Sequence, residues 1–443
     1  MKIKHLVLSL IAVVAMGCNS DDSNEPVVIN YDCFNGISVT TQAELDAVAQ
    51  TIGPDCNGLN YLVLGNSVAA SDITSLASLS KITGIKNIKI QNCPQLTSLE
   101  GLHNVRETQN IEISYTAITN LQGLRSLKTI NIPTVSVSAG LNYENKIYLH
   151  HNSALVNLNG LQKLAAIPSL NLQNCNALQS FHGLENCNEI ANLEVVDCPD
   201  LTALPTSIQV KLHCYFQRTG IVNLNGLSIL SGASVTLFEN PSLSSLGNAF
   251  ENTTTLGHFY SYTNPSLVSL EGLESLTDAG TITIWSNNSL NSISGLQSLL
   301  TIDYINIGSN SSLQSISGLQ SLTTGSISIS YNNLLQSLNG LQSLTTANGI
   351  IIEGNNTLTS IEALSSVTNS DRIRVLNNPS LATLNGLQNI SGFSGEIRIE
   401  SNASLKDLCA VGNILPGMVS GSISGNYNPV TLSTLTAENC SIE

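Results

Sequence analysis

Hydrophobic residues recur along this chain with a nearly constant period. The segment SLNGLQSL, or a variant of it, returns at intervals of 20 to 24 residues, with a single longer interval of 37 residues. Such self-similarity is typical of a solenoid, in which each repeat packs only against its two neighbours. The first apolar residue of the segment falls at Leu76, Leu99, Leu121, Leu158, Phe181, Leu204, Leu224, Leu246, Leu270, Ile293, Ile316, Leu338, Ile361, Leu384 and Leu408.

Each repeat also contains two apolar residues that flank one variable residue, as in Ile282-Thr283-Ile284 and Ile305-Asn306-Ile307. Alternation with period two and β-branched residues predicts a strand with one buried face. In many repeats an Asn follows three residues after the second apolar position. Because buried polar groups need partners, we expect these side chains to bond the backbone of the neighbouring repeat. They are Asn152, Asn240, Asn264, Asn287, Asn310, Asn332, Asn355, Asn378 and Asn402.

The connections between the strands are too short for α-helices. Only five residues separate Leu276 from Ile282, and again Leu299 from Ile305, whereas an average α-helix has about 11 residues. The pattern therefore predicts a mainly β solenoid of about 15 repeats of 22–24 residues, with a parallel sheet on one face and few helices.

Such a solenoid needs a cap at each end, because a terminal repeat leaves its apolar face uncovered. Thr41 and Glu44 have the spacing of a capping box, which predicts a short amphipathic helix ending near Gln50. Leu45 and Val48 are expected to face inward. We assign the N-terminal cap to 31–75, the repeat solenoid to 76–407 and the C-terminal cap to 408–443.

The repeat resembles the leucine-rich repeat, and more closely the receptor L-domain found in large families of Bacteroidota surface proteins. The resemblance spans about residues 59–425, and Asn426-Tyr427-Asn428-Pro429 is similar to part of the C-terminal cap of the same families. It implies a leucine-rich-repeat (receptor L-domain-like) solenoid and a surface location. Because one fold serves many functions, it does not imply a particular activity.

The N-terminal segment MKIKHLVLSLIAVVAMGC has a basic start and an apolar run too short to span a bilayer, which predicts a removable signal peptide at 1–17. Its end, Ala15-Met16-Gly17-Cys18, resembles a bacterial lipoprotein signal, although Ala15 stands where Leu is commoner. The resemblance implies that Cys18 is lipidated and that 18–30 is a polar tether. The alternative is an ordinary secretory signal beside a chance cysteine. The acidic stretch from Asn19 to Pro26 resembles the signal that directs lipoproteins of the Bacteroidota to the outer face of the outer membrane, which implies an outward location; here the alternative is a plain solvated linker.

Four of the ten cysteines lie at the ends of the solenoid. Cys33 and Cys56 flank the capping helix, and Cys409 and Cys440 bracket the other cap. Secreted proteins commonly form disulfides, and a covalent link is most useful where a chain frays. We therefore predict one disulfide in each pair.

Four of the cysteines within the repeats occupy recognisable positions of the repeat pattern. Cys93, Cys175 and Cys198 occupy the Asn position, and Cys187 replaces an apolar core residue. The resemblance implies buried thiols here, because proteins of this class use Asn or Cys at that turn. Cys175 and Cys198 lie one repeat apart, and either a bridge or two free thiols fits the sequence.

Two repeats depart from the period. The 37-residue repeat contains an insertion of about 14 residues within 129–146, which is either a binding loop or a tolerated surface loop. The 20-residue repeat has Val210 and Leu212 as its expected inward pair, with His213 directly after them. His150 would then hold the same position three strands away, about 14 Å, which is too far for a shared metal ion.

Composition narrows the functional classes. The net charge is −15 and only 11% of the residues are charged. This composition argues against a nucleic-acid partner and against electrostatic attraction to anionic lipid. We therefore expect contact with the membrane only through the lipid anchor at Cys18. No nucleophile, phosphate-binding or dinucleotide motif is present. We predict no enzymatic activity, no metal site and no cofactor. The pairs Lys89 with Glu112 and Glu194 with Lys211 are interpreted as cross-strand ion pairs.

Aromatic residues cluster on the variable strand positions. Phe238, Tyr262 and Trp285 occupy the position after the second buried strand residue in three consecutive repeats, so they should align on the exposed face of the sheet. Such a face suits a sugar ring or a partner's side chain, and the alternative is a ladder that only stabilises neighbouring strands. The other candidate binding residues are Tyr260 and His258 nearby, with His213, Tyr148 and His150 further along.

These observations predict a non-catalytic, lipid-anchored surface protein that binds a protein or glycan ligand through the strand face. An exposed apolar patch usually marks an interaction site. The alternative is a rigid envelope spacer without a specific ligand.

Overall fold

The computed structural model describes residues 29–130, 145–205, 207–436 and 439–442. The predicted signal peptide, Cys18 and most of the predicted tether lie outside these residues, as does most of the insertion within 129–146. Within the described residues the protein is mainly β, and one parallel sheet winds into a solenoid of about 16 turns. The fold class predicted from the repeats is confirmed.

The sheet comprises 20 strands in the described part of the chain. They are β1 Gly36–Val39, β2 Gly58–Leu64, β3 Gly84–Cys93, β4 Glu107–Thr108, β5 Asn110–Thr116, β6 Thr129–Ile130, β7 Lys146–His150, β8 Ala166–Gln173, β9 Glu189–Cys198, β10 Ile208–Thr219, β11 Leu227–Ile229, β12 Ser234–Phe238, β13 Thr255–Tyr262, β14 Asp278–Trp285, β15 Thr301–Gly308, β16 Thr324–Ser330, β17 Ile350–Glu353, β18 Asn369–Leu376, β19 Gly392–Glu400 and β20 Ser420–Ser424.

Alternation along each strand separates the core from the exposed face. In β15, Ile305 and Ile307 point inward and are fully buried, while Asn306 between them points outward. Ile305 pairs in register with Ile282 of β14 and Ile327 of β16. The apolar rows therefore continue from turn to turn as one core.

The connections on the opposite side contain turns, as expected from their short length, and also single-turn 3₁₀ helices, which the sequence did not predict. Gly340 of the SLNGLQSL segment explains the recurring glycine: its φ is +122°, and a Cβ there would lie 2.2 Å from the carbonyl oxygen of Ile316 in the preceding turn. Glycine therefore lets neighbouring turns approach closely. The 3₁₀ helices are Ala77–Leu79, Gln122–Leu124, Ser294–Leu296, Ser317–Leu319, Glu362–Leu364, Cys409–Val411 and Leu415–Gly417.

The buried Asn residues form a continuous hydrogen-bond ladder. Asn332 is fully buried, its Nδ2 donates to the carbonyl of Ile307 at 2.9 Å, and its Oδ1 accepts from the backbone N–H of Asn310 at 3.1 Å. The Asn332 N–H in turn donates to Oδ1 of Asn355 at 3.0 Å. Each side chain thus satisfies backbone groups of the turn before it, and the same contacts continue from Asn240 to Asn402.

The ends of the solenoid contain the predicted capping helix and the two predicted disulfides. Helix α1, Gln42–Thr51, begins with a capping box in which Thr41 Oγ1 accepts from the Glu44 N–H and the Glu44 carboxylate accepts from the Thr41 N–H. Leu45 is fully buried, whereas Val48 packs only partly against the core. Both predicted cap disulfides, Cys33–Cys56 and Cys409–Cys440, are formed in the structure.

Five other cysteines are buried free thiols, so the Cys175–Cys198 bridge that the sequence left open is absent from the described residues. Cys175 Sγ contacts the carbonyl oxygen of Leu149 at 3.6 Å, in the place of a ladder Asn. Burial raises the pKa of the Cys214 thiol to about 12. The free thiols are Cys93, Cys175, Cys187, Cys198 and Cys214.

The sequence-based register of the 20-residue repeat is wrong. Strand β10 has a bulge between Val210 and His213, and the inward pair is Cys214 and Phe216, both fully buried, whereas Leu212 is 56% exposed. The observed register places Thr219 at the ladder position, where its hydroxyl donates to Asn240 Oδ1 at 2.7 Å. The expected register would have placed the large ring of Tyr215 in that buried position.

One predicted ion pair fails for the same reason. Lys211 lies in the bulge and contacts Glu189 at 3.5 Å, while Glu194 pairs in register with Tyr215 and accepts a hydrogen bond from Asn171. The pair of Lys89 with Glu112 is present at 3.0 Å.

Candidate ligand-binding site

The outward residues of the strands form parallel rows on the exposed face of the sheet, which we call the strand face. Residues in one row come from successive turns and are paired in register, so they lie about 4.8 Å apart. The row nearest the carboxyl ends of the strands contains Phe238, Tyr262 and Trp285, which we call the aromatic stripe. Phe238 pairs with Tyr262, and Tyr262 pairs with Trp285.

All three side chains of the aromatic stripe are partly exposed. The rings of Phe238 and Tyr262 meet edge to face, with centroids 6.2 Å apart and an interplanar angle of 86°. Such a contact stabilises neighbouring strands by about 0.5–1.5 kcal/mol. The stripe therefore contributes to packing and also leaves aromatic surface open to solvent.

The aromatic surface continues along β13 into the two neighbouring rows of the strand face. Tyr260 lies with its ring centroid 6.0 Å from that of Tyr262, and His258 stacks on Tyr260 at 5.5 Å with an interplanar angle of 8°. The three side chains follow one another at alternate positions of a single strand, so one continuous surface runs across the width of the sheet.

Within the aromatic stripe, the indole of Trp285 is directed away from Tyr262 and toward the next turns of the solenoid. Its six-membered ring lies over Gly308, and its centroid is 6.4 Å from that of Tyr331. Tyr331 was missed by the sequence analysis, because it belongs to the turn and not to the strand. Its signal is its place directly before the ladder residue Asn332, where the chain adopts φ of +58° and turns the side chain back toward the strand face.

A second group of rings, which we call the histidine cluster, lies nearer the N-terminus. Tyr148 stacks on His150 at 4.4 Å, and Tyr115 stacks on His151 at 4.5 Å. His151 has φ of +57°, and its Nδ1 lies 3.2 Å from Nδ1 of His150. In this contact one nitrogen donates the hydrogen bond and the other accepts it, and the tautomers of the two rings decide which.

The electrostatics of the histidine cluster centre on Glu112. Its Oε1 lies 3.9 Å from Nε2 of His150 and 3.0 Å from Nζ of Lys89, and these two neighbours lower the pKa of Glu112 to about 2. Burial and His150 lower the pKa of His151. A cavity of about 360 Å³ beside this carboxylate is lined by residues that include Glu112, Tyr115 and His150. The described residues contain no group of three His, Cys, Asp or Glu side chains that could hold a metal ion.

The eight candidate residues therefore do not form a single site. Strands β7 and β12 are separated by four strand spacings, about 19 Å, so Tyr148 and His150 lie apart from Phe238. His213 was expected in the same row as His150, but it pairs with Ser234 in another row, and its ring stacks on Tyr215 at 6.0 Å. Phe238, Tyr262, Trp285, Tyr260 and His258 are the candidates that the structure brings together.

The C-terminal part of the strand face is charged rather than aromatic. Arg374 contacts Glu396 at 2.7 Å, and Arg398 contacts Glu400 at 2.9 Å. All four side chains are 23–39% exposed, and ion pairs of this kind are worth only a few tenths of a kcal/mol each. The Arg374–Glu396 pair connects strands β18 and β19, whereas the Arg398–Glu400 pair lies within β19.

The fold and the strand face define a parallel β-solenoid with an aromatic surface patch. No protein-family model matches the chain. Over 182 residues the chain is 26% identical to the "Cell surface GPI-anchored protein ECM33" of Candida albicans, a match that covers 39% of this chain and 41% of that protein. The chain thus spans about two-fifths of the length of this curated relative.

Among solved structures, the chain is similar to one from a "TLR13-ssRNA13 complex", with 15% identity and a TM-score of 0.29. The similarity covers 84% of this chain and 67% of that chain. In the described residues, no helix has the length and apolar character needed to cross a membrane.

Proposed function

We propose that the protein is a non-catalytic recognition protein of the cell surface, which binds a protein or glycan ligand through its strand face. The observation that supports this most directly is the aromatic stripe with Tyr260 and His258. Aromatic side chains supply large contact areas at low entropic cost, and they dominate binding hot spots. Their position on the variable rows means that the core does not require them.

The proposed location is the outer face of the outer membrane, with lipid attached at Cys18. It is supported by the N-terminal pattern and by the cell-surface description of the Candida albicans relative. Replacing Cys18 with Ser should abolish labelling by a fatty-acid analogue and release the protein from the membrane fraction. Retained labelling in the Cys18→Ser variant would disprove the anchor.

The proposed binding function is tested with soluble protein that starts at Asn19, applied to a glycan array and used in a pull-down of surface proteins. The variant Trp285→Ala should lose at least tenfold in affinity for any ligand found, about 1.4 kcal/mol. Leu334→Ala is the matched control, because Leu334 is also apolar and is 45% exposed, but lies outside the strands. Equal binding by both variants, or no ligand in either screen, would favour the spacer alternative.

A further inference from the structure

The contact between Trp285 and Gly308 is built into the strand face. A Cβ atom on Gly308 would lie 2.0 Å from Cζ3 and 2.3 Å from Cε3 of the indole. Gly308 does not adopt a left-handed conformation, so its backbone does not require glycine. Gly308 is the last residue of β15; a glycine in a strand often marks a close approach by another group, and here that group is the indole.

This contact fixes how the indole is presented. The Cε3, Cζ3 and Cη2 atoms of the indole lie within 2.8 Å of the position that a Cβ on Gly308 would occupy, so the six-membered ring lies against the outward side of β15 at this residue. Its other face is the one available to a ligand. Tyr331 stands beside it at an interplanar angle of 73°. Tyr331 also lies against a glycine, since a Cβ on Gly354 would lie 2.4 Å from its Cδ1, although Gly354 also has a left-handed φ of +66°; the Tyr331 hydroxyl donates to a carboxylate oxygen of Glu353. Together, the indole face of Trp285, the ring of Tyr331 beside it and the Glu353 carboxylate form an aromatic surface with a polar edge.

The geometry points to a subsite for a neutral hexopyranose ring, stacked on the free face of Trp285. This inference rests on the proposed function and names its ligand class. The electron-rich face of an indole attracts the C–H groups of a sugar ring, and the Glu353 carboxylate can accept hydrogen bonds from sugar hydroxyls.

Shape and charge favour a sugar over the alternatives. A protein hot spot usually inserts a projecting side chain into a pocket of its partner, whereas Trp285 lies flat against its own sheet. The Glu353 carboxylate and the net charge of −15 disfavour an acidic sugar. A neutral hexose polymer is the ligand that fits both properties.

Trp285 is the only Trp in the chain, so the intrinsic fluorescence of the protein reports on this subsite. We would titrate the soluble protein with neutral hexaoses of glucose, mannose and N-acetylglucosamine and record the indole emission. A saturable change is expected with at least one of them. The variant Gly308→Ala should weaken that binding at least tenfold, because the new methyl group displaces the ring.

Gly349→Ala is the matched control, since a Cβ there has only Arg372 Cβ near it, at 3.9 Å, and it should bind within twofold of the wild type. If Gly308→Ala does not fold, calorimetric titration of Trp285→Ala provides the same test. No saturable change with any hexaose, or unchanged binding by Gly308→Ala, would overturn the sugar subsite. If no hexaose binds but a surface protein from the pull-down requires Trp285, the proposed function stands and the sugar subsite is wrong. If no ligand of any kind requires Trp285, the proposed function and the sugar subsite both fail.

Discussion

The Asn ladder provides a quantitative test of how the solenoid is held together. Replacing Asn332 with Ala removes the acceptor for the Asn310 N–H at 3.1 Å and the donor to the Ile307 carbonyl at 2.9 Å. Both backbone groups are then buried without these partners, and each unsatisfied group costs about 1–3 kcal/mol. Because the neighbouring turns can shift slightly, we expect a total loss of about 2–4 kcal/mol of unfolding free energy.

The assay is urea denaturation followed by circular dichroism, with Asn333→Ala as the matched control. Asn333 is the next residue in the chain and is exposed, so its replacement should change the unfolding free energy by less than about 0.5 kcal/mol. Hydrogen exchange offers a local measurement, because the Asn310 N–H should lose protection in Asn332→Ala alone. The slope of the denaturation curve must be compared as well, since long repeat arrays can unfold in parts.

A third variant separates hydrogen bonding from volume. Asn332→Cys restores a weak S–H donor at this position, as Cys175 and Cys198 have in their own turns, but supplies a poor acceptor. Its stability should fall between that of the wild type and Asn332→Ala. If Asn332→Ala unfolds at the same urea concentration as Asn333→Ala, the ladder does not stabilise the solenoid and the reasoning is refuted.

Three further measurements test other parts of the structure. Because the pKa of Glu112 is lowered from 4.5 to about 2, the ionised carboxylate stabilises the fold above pH 4.5, and this contribution is lost as the pH falls toward 2. Between pH 6 and 3 the wild type should lose about 1 kcal/mol more unfolding free energy than Glu112→Gln. Equal losses in the two proteins would contradict this. The double variant Cys409→Ser/Cys440→Ser opens a disulfide of sequence separation 31 and should lose about 3–4 kcal/mol in non-reducing denaturation, whereas an unchanged midpoint would show that the bond contributes nothing. Leu270→Ala should cost about 2–5 kcal/mol and Trp285→Ala clearly less in parallel urea titrations, and the reverse order would make the stripe a structural ladder.

The sequence predicted most of the fold because each turn repeats the same physical constraints. Inward apolar pairs such as Ile305 and Ile307, a buried Asn three residues later and a glycine in the connection recur often enough to set the register of nearly every strand. Both ends of the chain broke the period and contained paired cysteines, so the two disulfides could also be predicted.

The register failed where the pattern allowed two choices. In the 20-residue repeat, Val210 and Leu212 and then Cys214 and Phe216 both alternate correctly, and only the ladder contact of Thr219 with Asn240 distinguishes them. Recognising Thr as a substitute for Asn at that position would have found the correct register. It would also have moved His213 out of the predicted row.

The candidate site was predicted only in part, because its geometry depends on side-chain direction. The repeat spacing aligned Phe238, Tyr262 and Trp285 correctly, but it could not show that the indole turns toward Gly308. Tyr331 was missed because its exposure to the strand face depends on a left-handed turn residue, and such a turn has no apolar period to reveal it.

The same construction explains why a recognition surface can arise on this fold without destabilising it. The inward rows and the Asn ladder carry the stability of each turn, and they place no demand on the residues that point outward. In one outward row the chain has Gln217, Phe238, Tyr262, Trp285 and Gly308 on successive strands, all in an equivalent backbone position. Gly308 has no side chain that could pack in the core. Its presence beside Trp285 is best explained by the space that it leaves for the indole ring. The outward rows of this solenoid are therefore positions at a spacing of about 4.8 Å that the core does not constrain. From Phe238 to Gly308 these positions hold three aromatic residues and the glycine on which the indole lies, whereas small polar residues would suffice for a spacer.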